Sequence, residues 1–340
     1  MKRIERAVAA VMAVGLMALS APAGADPLPI RVGWVVTPGH LAPLIEELGK
    51  RHPEVFKHLG QSYVMQAVHF QGTTPEIQAQ AINELEVASF SSAALALAIT
   101  NAHLDERLVA DVVGDGMNGY FSGTYVVAAD GPIKQVEDIK GRRVAINTIG
   151  SAADEAMRTM LHRHGLKDSD FTTVEANFAN MPAMLEGGKV DMIIVLPQFA
   201  HGILDNTKYK VLFRGVDAVG PSQAVMWAMR SNVIAEHRAA LVDFIEDHIR
   251  ARRWLLAAKN HDEALDITSY VTKLPKEKLA FAFTKDDFYR SPDAHPDVAS
   301  VQKEIDESVK LGVLPKAIQI EPKYVDLSLI EEAKKRIDAK

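Results

Sequence analysis

The sequence predicts an α/β protein of two lobes, each a mostly parallel sheet flanked by helices, with two connecting strands between them. Three observations predict it. Short β-branched runs end repeatedly in Gly, Ser, Thr or Pro and pass at once into helix-forming segments, the pattern of β-α units and hence of parallel strands. The same succession starts again at residue 141. The chain has 340 residues, 48% of them hydrophobic, enough for more than one core at about 100 to 200 residues per domain.

The elements follow in order. Residues 30–36, IRVGWVV, form a strand that turns at Thr37, Pro38 and Gly39 into the amphipathic helix HLAPLIEELGKR. YVMQAVHF (63–70) is a second strand, stopping at Gln71, Gly72 and Thr73, after which Thr74 and Pro75 suit the N-cap and first position of a helix. LEVASF (85–90) is a third, and Ser91 and Ser92 lead into AALALAIT. In the second half GRRVAIN (141–147) is a strand, TIGS a turn, and AADEAMRTMLHRHG a helix closed by Gly165. FTTVEAN, the short helix MPAMLEGG, the strand VDMIIVL (190–196) and the helix start PQFAHGIL complete it. GYFSGTYVVAA (119–129) and SQAVMWAMR (222–230) stand where the chain changes lobe. The remaining sequence is helical and needs a surface to cover, most simply the first lobe. The expected division is residues 1–25 as a leader, 26–118 with 226–340 as the first lobe, and 119–225 as the second lobe with its connecting segments.

The leader carries the location signal. MKRIER is basic, residues 7–20 are apolar, and Ala23 with Ala25 supplies small residues for cleavage before Asp26, as in a cleaved secretory signal peptide. The run falls short of the roughly 20 residues a membrane span requires. A bacterial periplasm is the expected compartment.

Charge and motifs exclude several function classes. Lys and Arg number 38 against 44 acidic residues, a net of −6 without long blocks of one sign, so no footprint for nucleic acid exists. Cysteine is absent, which removes disulfides, thiolate metal sites and thiol catalysis. Neither the G-x-S-x-G elbow nor the G-x-x-x-x-G-K-[ST] phosphate loop occurs. His162 and His164, at i and i+2 of a helix, point apart and read as solvated; His40 and His69 lack an acidic partner. No metal, cofactor or catalytic residue is expected.

In open α/β sheets ligands bind beyond the carboxyl ends of the parallel strands, at the following helix N-termini. Those points carry Trp34, His40, Gln71, Ser91, Ser92, Thr148, Ser151 and Gln198, with Tyr120 on the first connecting strand within reach of the cleft. They are neutral hydrogen-bonding groups with aromatic walls, and the junctions contain no Lys, Arg, Asp or Glu. Such a set suits capture of a small polar solute, anionic or weakly basic, rather than acid-base chemistry. Ser91 and Ser92 open a helix whose first turn has no acidic residue, leaving its dipole free for an anion. Two readings stand for Ser151, a helix cap with Asp154 or a ligand contact, and two for Trp34, a core aromatic or a ligand wall.

With these residues in hand the chain resembles the periplasmic solute-binding proteins of ABC importers, in the nitrate/sulfonate/taurine-type (NMT1/THI5-like) family. The likeness spans nearly all of the chain after residue 25. It rests on IRVGW, on the segment Ile133 to Ala145 (IKQVEDIKGRRVA) followed by Gly150-Ser151, on LEGGKVDMIIV, and on VQKEIDESVKLGVLPK with YVDLSLIEEA. It implies the two-lobed periplasmic binding protein fold (type II), closing like a flytrap over one solute and delivering it to an inner-membrane permease. The solute it implies is a sulfonate, taurine, nitrate or carboxylate-like molecule, and the protein a monomer. AINELEVASF departs from the family's Gly-Glu-x-Asp form, and the loops lack the basic residue that a sulfonate or nitrate would call for. The family's pyrimidine-synthase branch uses a Cys-rich motif that a cysteine-free chain cannot have. An exported enzyme on the same scaffold and a ligand-sensing partner of a membrane receptor are the alternatives.

Overall fold

Each of the two sheets is built around β-α units whose strands are short, apolar and followed within a few residues by a helix. The computed structural model describes residues 26–339; the expected leader lies outside them. β1 (Leu28–Trp34) pairs in parallel with β2 (Tyr63–His69), and a parallel bridge from Val32 to Val87 joins β1 to β3 (Ala88–Phe90). The return strand β10 (Ser222–Arg230) lies antiparallel between β3 and β4 (Glu106–Asp115). The spatial order is therefore β2-β1-β3-β10-β4. In the second sheet β6 (Arg143–Ile146) runs parallel to β7 (Thr172–Glu175) and β8 (Met192–Val195), and β5 (Thr124–Ala128) lies antiparallel between β8 and β9 (Tyr209–Arg214). Its order, β7-β6-β8-β5-β9, repeats the first, with β5 in the place of β10.

Two strands escape the sequence pattern. β4, ERLVADVVGD, is buried over nearly its whole length although Glu106, Arg107, Asp111 and Asp115 interrupt its apolar residues. β9, YKVLFR, is a sheet edge with charged residues interleaved. The connecting strands also prove shorter or differently placed: β5 starts at Thr124 rather than at residue 119, and Ser222–Arg230 belongs whole to the first sheet. Residues 222–225, which the sequence division assigns to the second lobe, thus pair or pack with β4.

The helices cover both faces. α1 (Ala42–Arg51) buries Leu44, Ile45 and Leu48 on one side and ends in Lys50 and Arg51, which suit a helix C-terminus. α2 (Pro75–Ala81) follows β2. α3 (Ser92–Thr100) is apolar on every side because it is enclosed by β3, β10 and α10 (Val298–Lys310). α4 (Ala152–Arg163), α5 (Met181–Glu186), α6 (Pro197–Ile203) and α7 (Gly215–Val219) belong to the second half. The long α8 (Ser231–Leu256) packs beneath β2 and β10 and carries α9 (His261–Thr272) and α11 (Ser328–Asp338). α10 touches α3 and β10 on one side and α4 on the other, so the helical tail spans the cleft as well as covering the first sheet.

Asp115, at the end of β4, ties the first connecting segment to α7. It accepts from the Ser122 hydroxyl and from Gly123 N–H (2.8 Å), while Ser122 Oγ in turn accepts from Val216 N–H (2.9 Å). Gly116 has φ +62°, and a Cβ there would lie 2.9 Å from Val216, so both its left-handed backbone and the close approach demand glycine.

Candidate functional site

The carboxyl ends of the two sheets face one another across a cavity of about 100 Å³. Its apolar wall includes Val35, Val113, Phe178, Ile194, Leu196 and Phe288. The loop after β1 is held rigidly: the buried Arg290, paired with Asp287, donates to Pro38 O (2.7 Å) and Gly39 O (3.0 Å), placing His40 at the wall. His40 is buried and neutral; desolvation, with the positive charges of Arg290 and then His69, pushes its imidazole down to about 3. Its Nδ1 has no protein hydrogen-bond partner, and neither does Oγ1 of the buried Thr73 on the same wall. Buried polar atoms of this kind are otherwise almost always satisfied.

The acidic groups were invisible to strand-end reasoning. Asp115, Glu155 and Glu304 all line the cavity, from the end of β4, the first turn of α4 and the middle of α10, and among the described lining residues there is no lysine or arginine. Burial pushes Asp115 up to about 6, against the opposing hydrogen bonds from Ser122 and Gly123. Burial also pushes Glu155 up to about 7 and, with the charge of Glu155 added, Glu304 up to about 8.

Glu155 corrects the expectation of a free dipole at α3. It accepts from Ala93 N–H (3.0 Å) in the first turn and from the Ser308 hydroxyl (3.0 Å), so the protein's own carboxylate holds the place expected for an anion. Ser91 caps α3 through Ala94 N–H (3.0 Å) and donates to Gly150 O (3.0 Å) across the cleft, while Ser92 donates to Glu304. Neither serine is among the residues lining the cavity.

Gln71 forms a reciprocal pair with Asn147: its Nε2 donates to Asn147 O (2.9 Å) and Asn147 Nδ2 donates to Gln71 O (3.1 Å). Thr74 does not cap α2 with its side chain but donates to Ile149 O (2.8 Å), a further bond between the halves. Thr148 is buried against Gly72, where a Cβ would fall 2.0 Å from its Oγ1. Ser151 lines the cavity and also caps α4, accepting from Asp154 N–H (3.3 Å) and donating to Asn147 Oδ1 (2.8 Å). The helix cap is therefore formed, by a residue that also stands at the cavity wall.

Gln71 and Thr148, like the two serines, are not among the lining residues, and three further expected residues, Trp34, Tyr120 and Gln198, lie away from the cavity as well. Trp34 is half-buried at the end of β1, its ring 4.5 Å from that of His69. Tyr120 packs edge-on against Tyr289, with Lys285 over its ring, in a separate open groove. Gln198 sits half-buried in α6. His162, read as solvated, is mostly buried: its Nδ1 meets Leu311 O at 2.8 Å and its Nε2 meets Asp168 at 2.9 Å. Among the described residues no cluster of His, Asp and Glu is arranged to hold a metal ion.

The repeated strand order, the antiparallel exchange of β5 and β10, and the cavity between the strand ends define the bilobal architecture of the periplasmic binding proteins. The chain belongs to the NMT1/THI5-like family, whose model matches residues 77–264, more than half of the sequence. The fold is similar to that of the periplasmic nitrate-binding protein NrtA from Synechocystis PCC 6803, with a TM-score of 0.70 and 13% identity over 92% of this chain and 90% of that one. It is also similar to the alkanesulfonate-binding protein SsuA from Xanthomonas axonopodis pv. citri, solved bound to MOPS (TM-score 0.66, 17% identity, 88% of this chain and 98% of that one). The aliphatic sulphonate binding protein SsuA from Escherichia coli matches with a TM-score of 0.64 and 19% identity over the same shares. No curated protein matches the sequence.

Proposed function

We propose that this chain is the periplasmic solute-binding component of an ABC importer, enclosing one small polar organic solute between two lobes and passing it unchanged to a membrane permease. The observation that carries this reading is the cavity itself. It is closed between strand ends of the two halves by cross-cleft hydrogen bonds, and it keeps two buried polar atoms, His40 Nδ1 and Thr73 Oγ1, without protein partners. Family membership and the kinship of fold with nitrate- and sulfonate-binding proteins support it.

In this reading residues 119–221 form one lobe and the rest of the chain after the leader the other, and the molecule acts as a monomer. His40, Thr73 and Ser151 contact the solute; Gln71, Ser91 and Thr148 belong to the closing surfaces. Turnover is disfavoured because the Ser151 hydroxyl donates to an amide oxygen and has no general base. Closure is a population shift driven by contacts made only when both lobes touch the solute.

The test is a thermal-shift panel of sulfonates, nitrate, carboxylates, amines and pyrimidines, followed by calorimetry and solution scattering. A binder of the folded state raises Tm, by about 2.7 kcal/mol of stabilisation at a hundredfold excess over Kd. One solute per chain, compaction on binding and recovery of the solute intact are expected. Chemical alteration of the solute, or no binding across the panel, refutes the proposal.

A further inference from the structure

We infer that the enclosed solute is a small organic cation, a protonated amine or amidine on an apolar body, with its charged head among Asp115, Glu155 and Glu304. This rests on the solute-binding reading above and names the class of solute. Three carboxyl groups from three separate elements converge on one cavity, and their protein partners are neutral hydroxyls and backbone N–H groups. A carboxylate offers about four acceptor sites, and these partners use only some of them. Nothing in the cavity wall neutralises the charge: the described lining contains no lysine or arginine, and His40 is neutral. Uncompensated carboxylates in such a place must either take up protons or receive a cation from outside.

The rest of the lining fits the head-and-body description. Val35, Val113, Ile194 and Phe288 face the same space, and the cavity, about 100 Å³ against about 150 Å³ for one that accepts benzene, limits that body to benzene's size at most. Thr73 Oγ1 and His40 Nδ1 are free to bond polar atoms on that body.

The groups facing the carboxyls set the direction of the pH dependence. Glu155 faces Glu304 and Ser308 on α10, Ala93 N–H on α3, and Asp154 on its own helix, which is itself paired with Arg158. Glu304 faces Glu155, Asp115, Ser92 and Ser222, and Asp115 faces Ser122 and Gly123. Because all three carboxyls titrate upward of their ordinary range, an entering cation expels protons, and binding tightens as pH rises from about 5 to about 8. An entering anion does the reverse: it draws protons in and binds more tightly at low pH.

The experiment uses the purified chain with charge-matched pairs: benzylamine and benzamidine against benzoate, isobutylamine against isovalerate, with ethanesulfonate and nitrate alongside. Calorimetry in two buffers of different ionisation enthalpy measures the protons exchanged, and thermal shift ranks the panel. The expected result is binding by the amines or the amidine with proton release, weakened about tenfold or more by Glu304→Gln or Asp115→Asn, as loss of a charged hydrogen bond predicts. If those variants do not fold, the wild-type proton release and pH slope decide alone. Tighter binding of the anions with proton uptake overturns this inference and leaves the solute-binding proposal standing. Binding by none of these probes overturns the inference, and silence across the wider metabolite panel removes the solute-binding proposal as well.

Discussion

The junction after β3 and the junction after β8 occupy equivalent places in two sheets of the same strand order, yet their chemistry is opposite. After β3, Ser91 and Ser92 are fully buried, the helix is capped, and Glu155 and Glu304 close in on it from other elements. After β8, Leu196 meets the cavity wall, Pro197 opens α6 without a side-chain cap, and Gln198 is left half-buried. Repeating a topology therefore repeats the geometry of strand ends and not their electrostatics. The difference is made by residues 62 and 212 positions along the chain, on α4 and α10.

The largest expected effect comes from keeping the two halves apart. Gly72→Ala places a Cβ 2.0 Å from Thr148 Oγ1 and 2.8 Å from Asn147 Nδ2, so the cross-cleft contacts beside the first junction must separate. Overpacking costs about 1–3 kcal/mol, and here it falls on the closed state, so scattering should find an extended molecule that no longer compacts with solute. Unchanged compaction would mean that closure does not depend on this seam.

Next comes Glu155→Ala, which leaves Ala93 N–H and the Ser308 hydroxyl without their acceptor and should cost about 1–3 kcal/mol in urea unfolding. A smaller effect would show that water replaces the carboxylate at this helix end.

A pH series sharpens the same contrast. Glu304 has a raised pKa in the folded chain, about 8 against 4.5 for an ordinary glutamate, so the folded state binds its proton more tightly than the unfolded chain. Its contribution to stability is full below about pH 4.5 and is lost as pH rises through about 8. Tm of the solute-free protein should fall over that window, and Glu304→Gln should flatten the fall. An unaltered slope in the variant would assign the titration elsewhere.

The smallest effects compare the junctions directly. Ser91→Ala removes a cap and should destabilise by about 1 kcal/mol, whereas Gln198→Ala at the equivalent place should stay within about 0.5 kcal/mol. Equal losses would erase the distinction.

Much of the fold was legible locally. β1, β2, β6, β7 and β8 lie within apolar runs with punctuation after them, and His40 and Ser151 stand at the cavity wall because strand ends face the cleft. β4 and β9 were not legible: Glu106, Arg107, Asp111 and Asp115 break the apolar pattern of one, and edge charges dilute the other. Glu155 looked like part of an ordinary capped helix start, and Glu304 like one acid among many on an amphipathic helix.

The residues by themselves determined the two-sheet α/β class, the family and the strand ends where a site must form, because apolar periodicity and turn chemistry act between near neighbours. Only the tertiary structure decided the charge of that site. Ionisation of a carboxyl depends on what surrounds it, and Asp115, Glu155 and Glu304 acquire one another as neighbours only when β4, α4 and α10 have packed.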